Sequence, residues 1–516
     1  MLIGPEDDYV VHVPDVSSTI FYGRFGGLSV LRSLGRSLLL DVQPSPTSSP
    51  VKELVEAFHD LALGPHKRSV QSSRRLTTCL PSKDQVNTAI ALACRTALIC
   101  HDCLDHALLS RQLDNLYDTD PEDYSNGNLQ SLALVYSLVA LGRRYSPVRT
   151  GSESHQVPDA TNPKGFTYFQ ISRRMVQNAE VYTLDSLRAI VCHVRYLLSM
   201  SMLSEAHSCL ATGVSAAVCM GIHVSNPIPE EISGDEAIQR RRIFAVMNMM
   251  DTYLASLLGL PKIVGNVYMT QTLNLEDQML PDFGHSFLLR HPAESIEETA
   301  LCQKLNNILA QIGNSRLSET KDNLQSPGER YVERDELVAM HEAEIQDWYN
   351  DLPAVLEEKS DPGALRAQLM LRLWHAMAQI ILYRPFLHHL GRDGQDKRFD
   401  LRGYEYGSSC VRSAMQAVYL CEVLQNNGML HEPFYLVLYS LAYATNILAF
   451  FVMSSSPRAT VRESMVAVWT ARDMLDRLGK HNCSAKRYTA LLTRLLGDIP
   501  SLQEQTLTHL VVAQGT

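Results

Sequence analysis

Between Leu184 and Pro261 the apolar residues of this chain recur at intervals of three and four, and that spacing restricts the fold more than any other feature. Leu184, Leu187, Val191, Val194 and Leu198 mark one stripe, and Ala206, Leu210, Val214, Ala217 and Gly221 a second. Ile243, Met247, Met250, Leu254 and Leu257 mark a third. A period near 3.6 puts each set on one helical face, and helices striped in this way bury those faces against one another. Gly213 and the small residues beside it would admit a neighbouring helix closely. The third helix is expected to stop where Gly259 takes a left-handed cap and Pro261 cannot continue it.

Arg240, Arg241 and Arg242 open that third helix in this reading. Cations are unfavourable at the positive end of a helix dipole, so the triplet is expected to pair with Glu230, Glu231, Asp235 or Glu236 of the preceding loop. Arg241 or Arg242 should then be partly buried against a carboxylate. A phosphate or nuclear-import contact is the alternative.

The same periodicity extends along the chain. Pro81 to Leu109 reads as one long helix, with Ser82 as cap and Gln85 completing a capping box. Shorter helices are expected over Leu129 to Leu141, Val338 to Tyr349, Met465 to Leu478 and Tyr488 to Leu496. Leu369, Leu373, Ala376, Ile380 and Tyr383 line a further helix up to Pro385. Pro433 to Met453 carries no charge and is long enough to raise a membrane span. Ser440, Thr445 and Asn446 interrupt it, its tyrosines are scattered, and no basic cluster flanks it, so a buried helix is expected. The fold class is therefore all-α: antiparallel packed helices over 76–500, a partly irregular N-terminal segment and linker over 1–75, and a tail over 501–516.

Charge and motifs exclude several functions. A formal net charge of −10 argues against a surface that grips phosphate backbones along its length. Cys100, Cys103 and His106, three apart, form the most metal-like cluster, yet no second cysteine pair stands at zinc spacing and buried helical thiols are the better reading. His388 and His389 lack carboxylate or thiolate neighbours at ligand spacing and read as surface residues. The glycines of Phe21 to Gly27 lack the lysine-serine ending of a phosphate loop, and Asp7-Asp8 lacks a second magnesium-ligand motif. Gly213-Val214-Ser215-Ala216-Ala217 lacks the closing glycine of a nucleophile elbow. No catalytic, cofactor-binding or metal residue is expected, and the chain reads as a non-enzyme. Eleven cysteines scattered through apolar runs fit a reduced, intracellular protein.

One order of motifs is specific. Met220-Gly221-Ile222-His223 ends a helix, Glu236 and Arg240-Arg241-Arg242 follow, then Asp251, then Gly259-Leu260-Pro261. Leu80-Pro81 precedes a helix, Leu141-Gly142 ends one, and Ile380 to Leu387 runs into Arg384-Pro385-Phe386. Over about Tyr22 to Asn274, and again near Trp374 to Leu390, the chain resembles the fungal-specific transcription-factor domain, the middle homology region of binuclear zinc-cluster regulators. It departs from that pattern at Ile243 and Phe244, where tryptophans are common, and at Thr252, where an arginine is usual.

The resemblance implies a regulatory domain acting in the nucleus on a metabolic or secondary-metabolite gene set. It also implies a small-molecule effector, other transcription factors or co-regulators as partners, and a homodimer, with no membrane role. Gly221, His223, Arg240, Arg241, Arg242, Asp251, Gly259, Pro261, Arg384 and Pro385 would be its structural and regulatory motif residues. The family's DNA reader needs six clustered cysteines, and no such cluster stands in this sequence, so no zinc cofactor is expected here. DNA would be reached indirectly or through a missing module. A helical interaction scaffold without direct DNA binding is the alternative, and an unrecognised all-α enzyme a more distant one.

Overall fold

The computed structural model describes residues 9–13, 18–22, 80–98, 103–146, 164–177, 183–220, 222, 234–264, 305, 307–313, 335–352, 362–390, 401–430, 435–454, 459–479 and 482–497. Helices dominate, and the fold is all-α as expected. The exception is an N-terminal antiparallel hairpin of β1 (Tyr9–Val13) and β2 (Ser18–Tyr22), with Tyr9 opposite Tyr22. Its strands are rich in β-branched and aromatic residues.

A first group of helices comprises α1 (Lys83–Thr96), α2 (His106–Asp118), α3 (Asn126–Arg144), α4 (Phe166–Gln177), α5 (Leu184–Ser199), α6 (Leu203–Cys219) and α7 (Gly234–Leu258). Here α3 and α5 are central: α3 packs against α1, α2, α4 and α5, and α5 against α4, α6 and α7. A second group comprises α8 (Asp335–Asn350), α9 (Pro362–Tyr383), α10 (Leu401–Asn426), α11 (Tyr435–Ser454), α12 (Ala459–Gly479) and α13 (Cys483–Gly497). In this group α10 packs on α9, α11, α12 and the 3₁₀ turn Arg384–Leu390. One contiguous apolar core runs from Val86 to Leu496 through both groups. The seam is bridged where Tyr253 of α7 meets the rings of Trp374 and Tyr435, and where the Tyr443 hydroxyl donates to the Leu257 carbonyl at 2.9 Å.

The three stripes of 184–261 are the helices α5, α6 and α7. Thr183 caps α5, its hydroxyl accepting from the Ser186 N–H at 3.4 Å. Gly213 meets Ile190 and Met247, so α6 lies close to both neighbours, and a Cβ at that position would require their side chains to shift. Gly259 has φ +68°, the left-handed conformation that ends α7. The uncharged helix α11 is the one described helix long and apolar enough to cross a membrane, and it is packed inside the protein from Tyr435 to Val452.

Four expectations need correction. The long helix over Pro81 to Leu109 is two helices: α1 ends at Thr96, and α2 starts at His106, where the Asp105 carboxylate accepts from the Leu108 N–H at 2.9 Å. An aspartate offering that local bond competes with helix continuation. Ser82 stands at the start of α1 but makes no side-chain capping bond. Gly142 does not end a helix, since α3 continues to Arg144. The triplet Arg240 to Arg242 does not open α7, which begins six residues earlier at Gly234.

Helix α10 is the largest element that apolar periodicity does not disclose. Its buried residues include Val411, Val418, Leu420 and Leu424, but Gly403, Gly407, Cys410, Ser413, Ala414, Ala417 and Cys421 make up most of the face, and these are too small to read as a hydrophobic stripe. Small side chains let α10 approach its neighbours closely.

At Gly142 an added Cβ would overlap the Ala89 backbone carbonyl of α1. Gly142→Ala gains about 1 kcal/mol of helix propensity, but backbone atoms cannot swing aside as a side-chain tip can. The net expectation is a loss of about 1–3 kcal/mol, read as a lower urea midpoint with an unchanged m-value. An equal or higher midpoint would show that α1 and α3 are not held at this distance.

Candidate functional site

Three polar clusters lie in or beside the buried stretch formed by α5, α6 and α7. The first closes the turn after α7. Asp251, fully buried on that helix, accepts from the backbone N–H groups of Ile263 and Val264 at 3.0 and 2.8 Å. Lys262 Nζ donates to Asn248 Oδ1 at 2.7 Å. Burial pushes the Asp251 carboxyl up, against the opposing pull of the two N–H donors, Lys262 and His207. Burial likewise pushes Lys262 and His207 down, while the Asp251 charge acts in the opposite sense on each. Gly259 reverses the chain, Pro261 is exposed at the tip, and Asp251 ties the returning strand to the helix.

The second cluster joins four helices through one ion pair. Arg188 Nη1 donates to Asp185 Oδ1 at 2.9 Å, with both side chains buried. Arg188 also donates to the Cys103 carbonyl at 2.9 Å and to Gln239 Oε1 at 3.3 Å. Asp185 Oδ2 accepts from Gln112 Nε2 at 2.7 Å and Ser131 Oγ at 3.1 Å. A buried pair persists only when its remaining donors and acceptors are met, and here α2, α3 and α7 each supply one partner to the pair on α5, with the Cys103 carbonyl a fourth.

The third cluster lies at the seam. Arg144 of α3 donates to Ser199 Oγ at 3.2 Å and to the Ser199 carbonyl at 3.0 Å. Arg195 of α5 donates through Nη1 to the Ala97 carbonyl, and Arg366 of α9 to the Arg95 carbonyl at 3.3 Å. These carbonyls end α1, where cations complement the helix dipole. All three arginines are buried, and all three act on the Tyr145 hydroxyl: burial pushes it up, Tyr435 adds to that, and the guanidiniums oppose it.

One pairing has the look of nucleophile chemistry. Ser172 Oγ and His193 Nε2 stand 2.7 Å apart, and Ser172 donates to the Ala133 carbonyl at 2.6 Å. Both residues are fully buried, and burial with Arg173 nearby holds His193 down to about 3. A general base works best with a pKa near the operating pH, so this histidine is a core hydrogen-bonding group. Ser215 is exposed on α6, inside a regular helix where no nucleophile elbow forms.

The motif residues separate as follows. Arg240 donates through Nε and Nη2 to Glu236 Oε1 at 3.0 and 2.9 Å, and through Nη1 to the Met220 carbonyl at 3.4 Å. Glu236 is thus one turn earlier on the same helix, in the favourable acid-before-base order, rather than in a loop facing the helix start. Arg241 and Arg242 are half-buried. Gly221 and His223 lie outside the described residues. Arg384 is buried at the head of the 3₁₀ turn, with Pro385 half-buried beside it, and Gly407 of α10 packs on the Phe386 carbonyl. Cys100 also lies outside the described residues; Cys103 precedes α2 and His106 begins it. Among the described residues, no group of three histidine, cysteine or acidic side chains is placed to hold a metal ion. Asp185, Arg188, Arg144, Arg195, Arg366 and the Ser172–His193 contact were not singled out from sequence. The available signal was charge on a helix otherwise apolar all round: α5 buries every residue from Asp185 to Ser199.

Residues 100–350 match the fungal specific transcription factor domain. Over 89% of its length the chain is 25% identical to Activator of stress genes 1 of Saccharomyces cerevisiae, covering 47% of that protein. It is 24% identical to Activator of stress genes protein 1 of Candida albicans, over 74% of this chain and 41% of the relative. A further Saccharomyces relative, named as a transcriptional regulatory protein, is 21% identical over 78% of this chain and 57% of its own. The chain spans about half the length of the curated relatives it matches.

Proposed function

Since residues 100–350 match the fungal specific transcription factor domain, we propose that this chain is the regulatory body of a fungal transcription regulator and acts in the nucleus. The observation that carries the reading is similarity to proteins named as activators of stress genes along 89% and 74% of this chain. Those names favour a stress-responsive gene set over the metabolic or secondary-metabolite set implied by the resemblance. The polar clusters support a responsive domain. They tie separate helices together through buried charges, and such networks have few satisfactory arrangements, so an effector that binds one arrangement better than another shifts the population. The chain works without catalysis, and its partners are co-regulators, a second copy of itself, or a DNA-reading module.

A fusion of the full chain to a heterologous DNA-binding module tests this. It is expected to enter the nucleus and change transcription of a reporter bearing the matching sites, with the response altered under stress. A fusion that is excluded from the nucleus would favour the interaction scaffold. One that enters but leaves the reporter at the level of the DNA-binding module alone would overturn the regulatory role.

A further inference from the structure

Within the third cluster, Arg195 has more buried donors than its protein contacts satisfy. Arg195 is 1% exposed, and while Nη1 reaches the Ala97 carbonyl, its buried Nε and Nη2 meet no protein acceptor. A guanidinium taken out of water is retained at low cost only when its donors are satisfied. One carbonyl at the end of α1 satisfies one direction of the fork. Arg144 and Arg366 add two more buried guanidiniums around the same tyrosine, Tyr145, and Tyr435 of α11 closes on it from the second helical group. Planar forked donors that converge in a protected site suit a carboxylate or phosphate, which accepts two parallel hydrogen bonds from one guanidinium.

We propose that Arg195, with Arg144 and Arg366 around Tyr145, forms an internal receptor site for a small oxyanion, the carboxylate or phosphate of an anionic metabolite.

The location gives such a ligand leverage. Arg144 and Tyr145 belong to the end of α3, Arg195 to α5, Arg366 to α9 and Tyr435 to α11, so the anion would join both helical groups at the seam. Directly after α5 the chain turns through Ser201, a non-glycine residue at φ +59°. Arg144 holds this turn from one group through Ser199, and Asn482 holds it from the other by donating to Ser201 Oγ at 2.7 Å. A left-handed non-glycine residue persists where its surroundings over-determine it. An anion drawing Arg144 and Arg195 together would therefore be felt at the turn that leads into α6 and at the packing of α13.

The inference rests on the effector-responsive reading above and names the chemistry of the effector. The purified full chain should be titrated with inorganic phosphate and with citrate, at ionic strength held constant with chloride, by calorimetry and thermal unfolding. Saturable binding of one phosphate or one citrate per chain, with a raised Tm that chloride does not reproduce, is expected. The phosphate and citrate arms distinguish a phosphoryl from a carboxylate ligand. Arg195→Met should weaken binding at least ten-fold while raising the Tm in anion-free buffer, because an unsatisfied buried charge has been replaced by an apolar chain of similar reach. Arg195→Lys, which keeps the charge without the fork, should weaken binding several-fold and covers the case in which the methionine variant does not fold. Failure of both anions to bind, or unchanged affinity in a folded Arg195 variant, overturns the site. A reporter that responds to stress while neither anion binds would sink this inference alone; anion binding with no reporter response would sink the regulatory reading alone.

Discussion

Asp251→Ala is expected to cost about 3–5 kcal/mol of folding stability. The carboxylate is the acceptor for two backbone N–H groups, those of Ile263 and Val264, and Val264 is itself buried. Removing it strands both donors and leaves Lys262, which donates to Asn248, without the nearby negative charge. The turn through Gly259, Leu260 and Pro261 would then lose its tie to α7. Asp251→Asn keeps one carbonyl acceptor and should fall between wild type and the alanine variant. Urea unfolding followed by circular dichroism measures both. A loss below about 1 kcal/mol in the alanine variant would mean that packing alone holds the turn, and that Asp251 has another role.

The second large effect is destabilisation by acid. Burial holds His193 down to about 3, with Arg173 adding to the shift, and holds His375 down to about 4. An unfolded histidine titrates near 6.5, so between that pH and the depressed values the unfolded chain binds protons that the folded chain does not. Stability contributed by the neutral rings is complete above about pH 6.5. It is lost as pH falls to about 4 for His375 and about 3 for His193. At about 1.4 kcal/mol per pKa unit, the pair accounts for several kcal/mol across the window. Asp251 opposes the trend, because a carboxyl raised by burial favours the folded state as it protonates. His207, also pushed down by burial, adds to the histidine side, and with three histidines against one carboxyl the net expectation is a urea midpoint that falls steadily from pH 7 to pH 4. His375, stacked on Trp348 and tilted against Tyr349, can be replaced by phenylalanine with its ring contacts largely kept. His375→Phe should flatten the pH dependence, and an unchanged slope would remove His375 as a source of acid sensitivity.

Both predictions rest on buried polar groups, and these groups divide what was legible in the sequence from what was not. Helix identity was legible because a stripe recurring at three and four is a local property. The stripes at Leu187 to Leu198, Ala206 to Ala217 and Ile243 to Leu257 became α5, α6 and α7, and Gly259 took the left-handed cap expected of it. Helix ends were less legible, since they turn on local competition. Asp105 could continue a helix or cap one, and it caps α2; Glu236 could lie in a loop or a first turn, and it pairs with Arg240 along α7. Helix α10 was not legible because glycine, alanine, serine and cysteine make up most of its buried face, and their burial depends on what approaches them.

By itself, then, the sequence determined an all-helical chain, the three helices of 184–261 and the motif order shared with a fungal regulatory family, because spacing along a helix needs no partner to be read. Only the tertiary structure decided which charges meet. The Asp185 carboxylate finds the Gln112 amide across seventy-three positions, and Arg366 reaches the Arg95 backbone carbonyl across two hundred and seventy-one. Nothing local in the chain distinguishes a buried arginine beside a carboxylate, as at Arg188, from one with two donors facing no protein acceptor, as at Arg195. That difference exists only once helices distant in sequence have excluded water from the space between them.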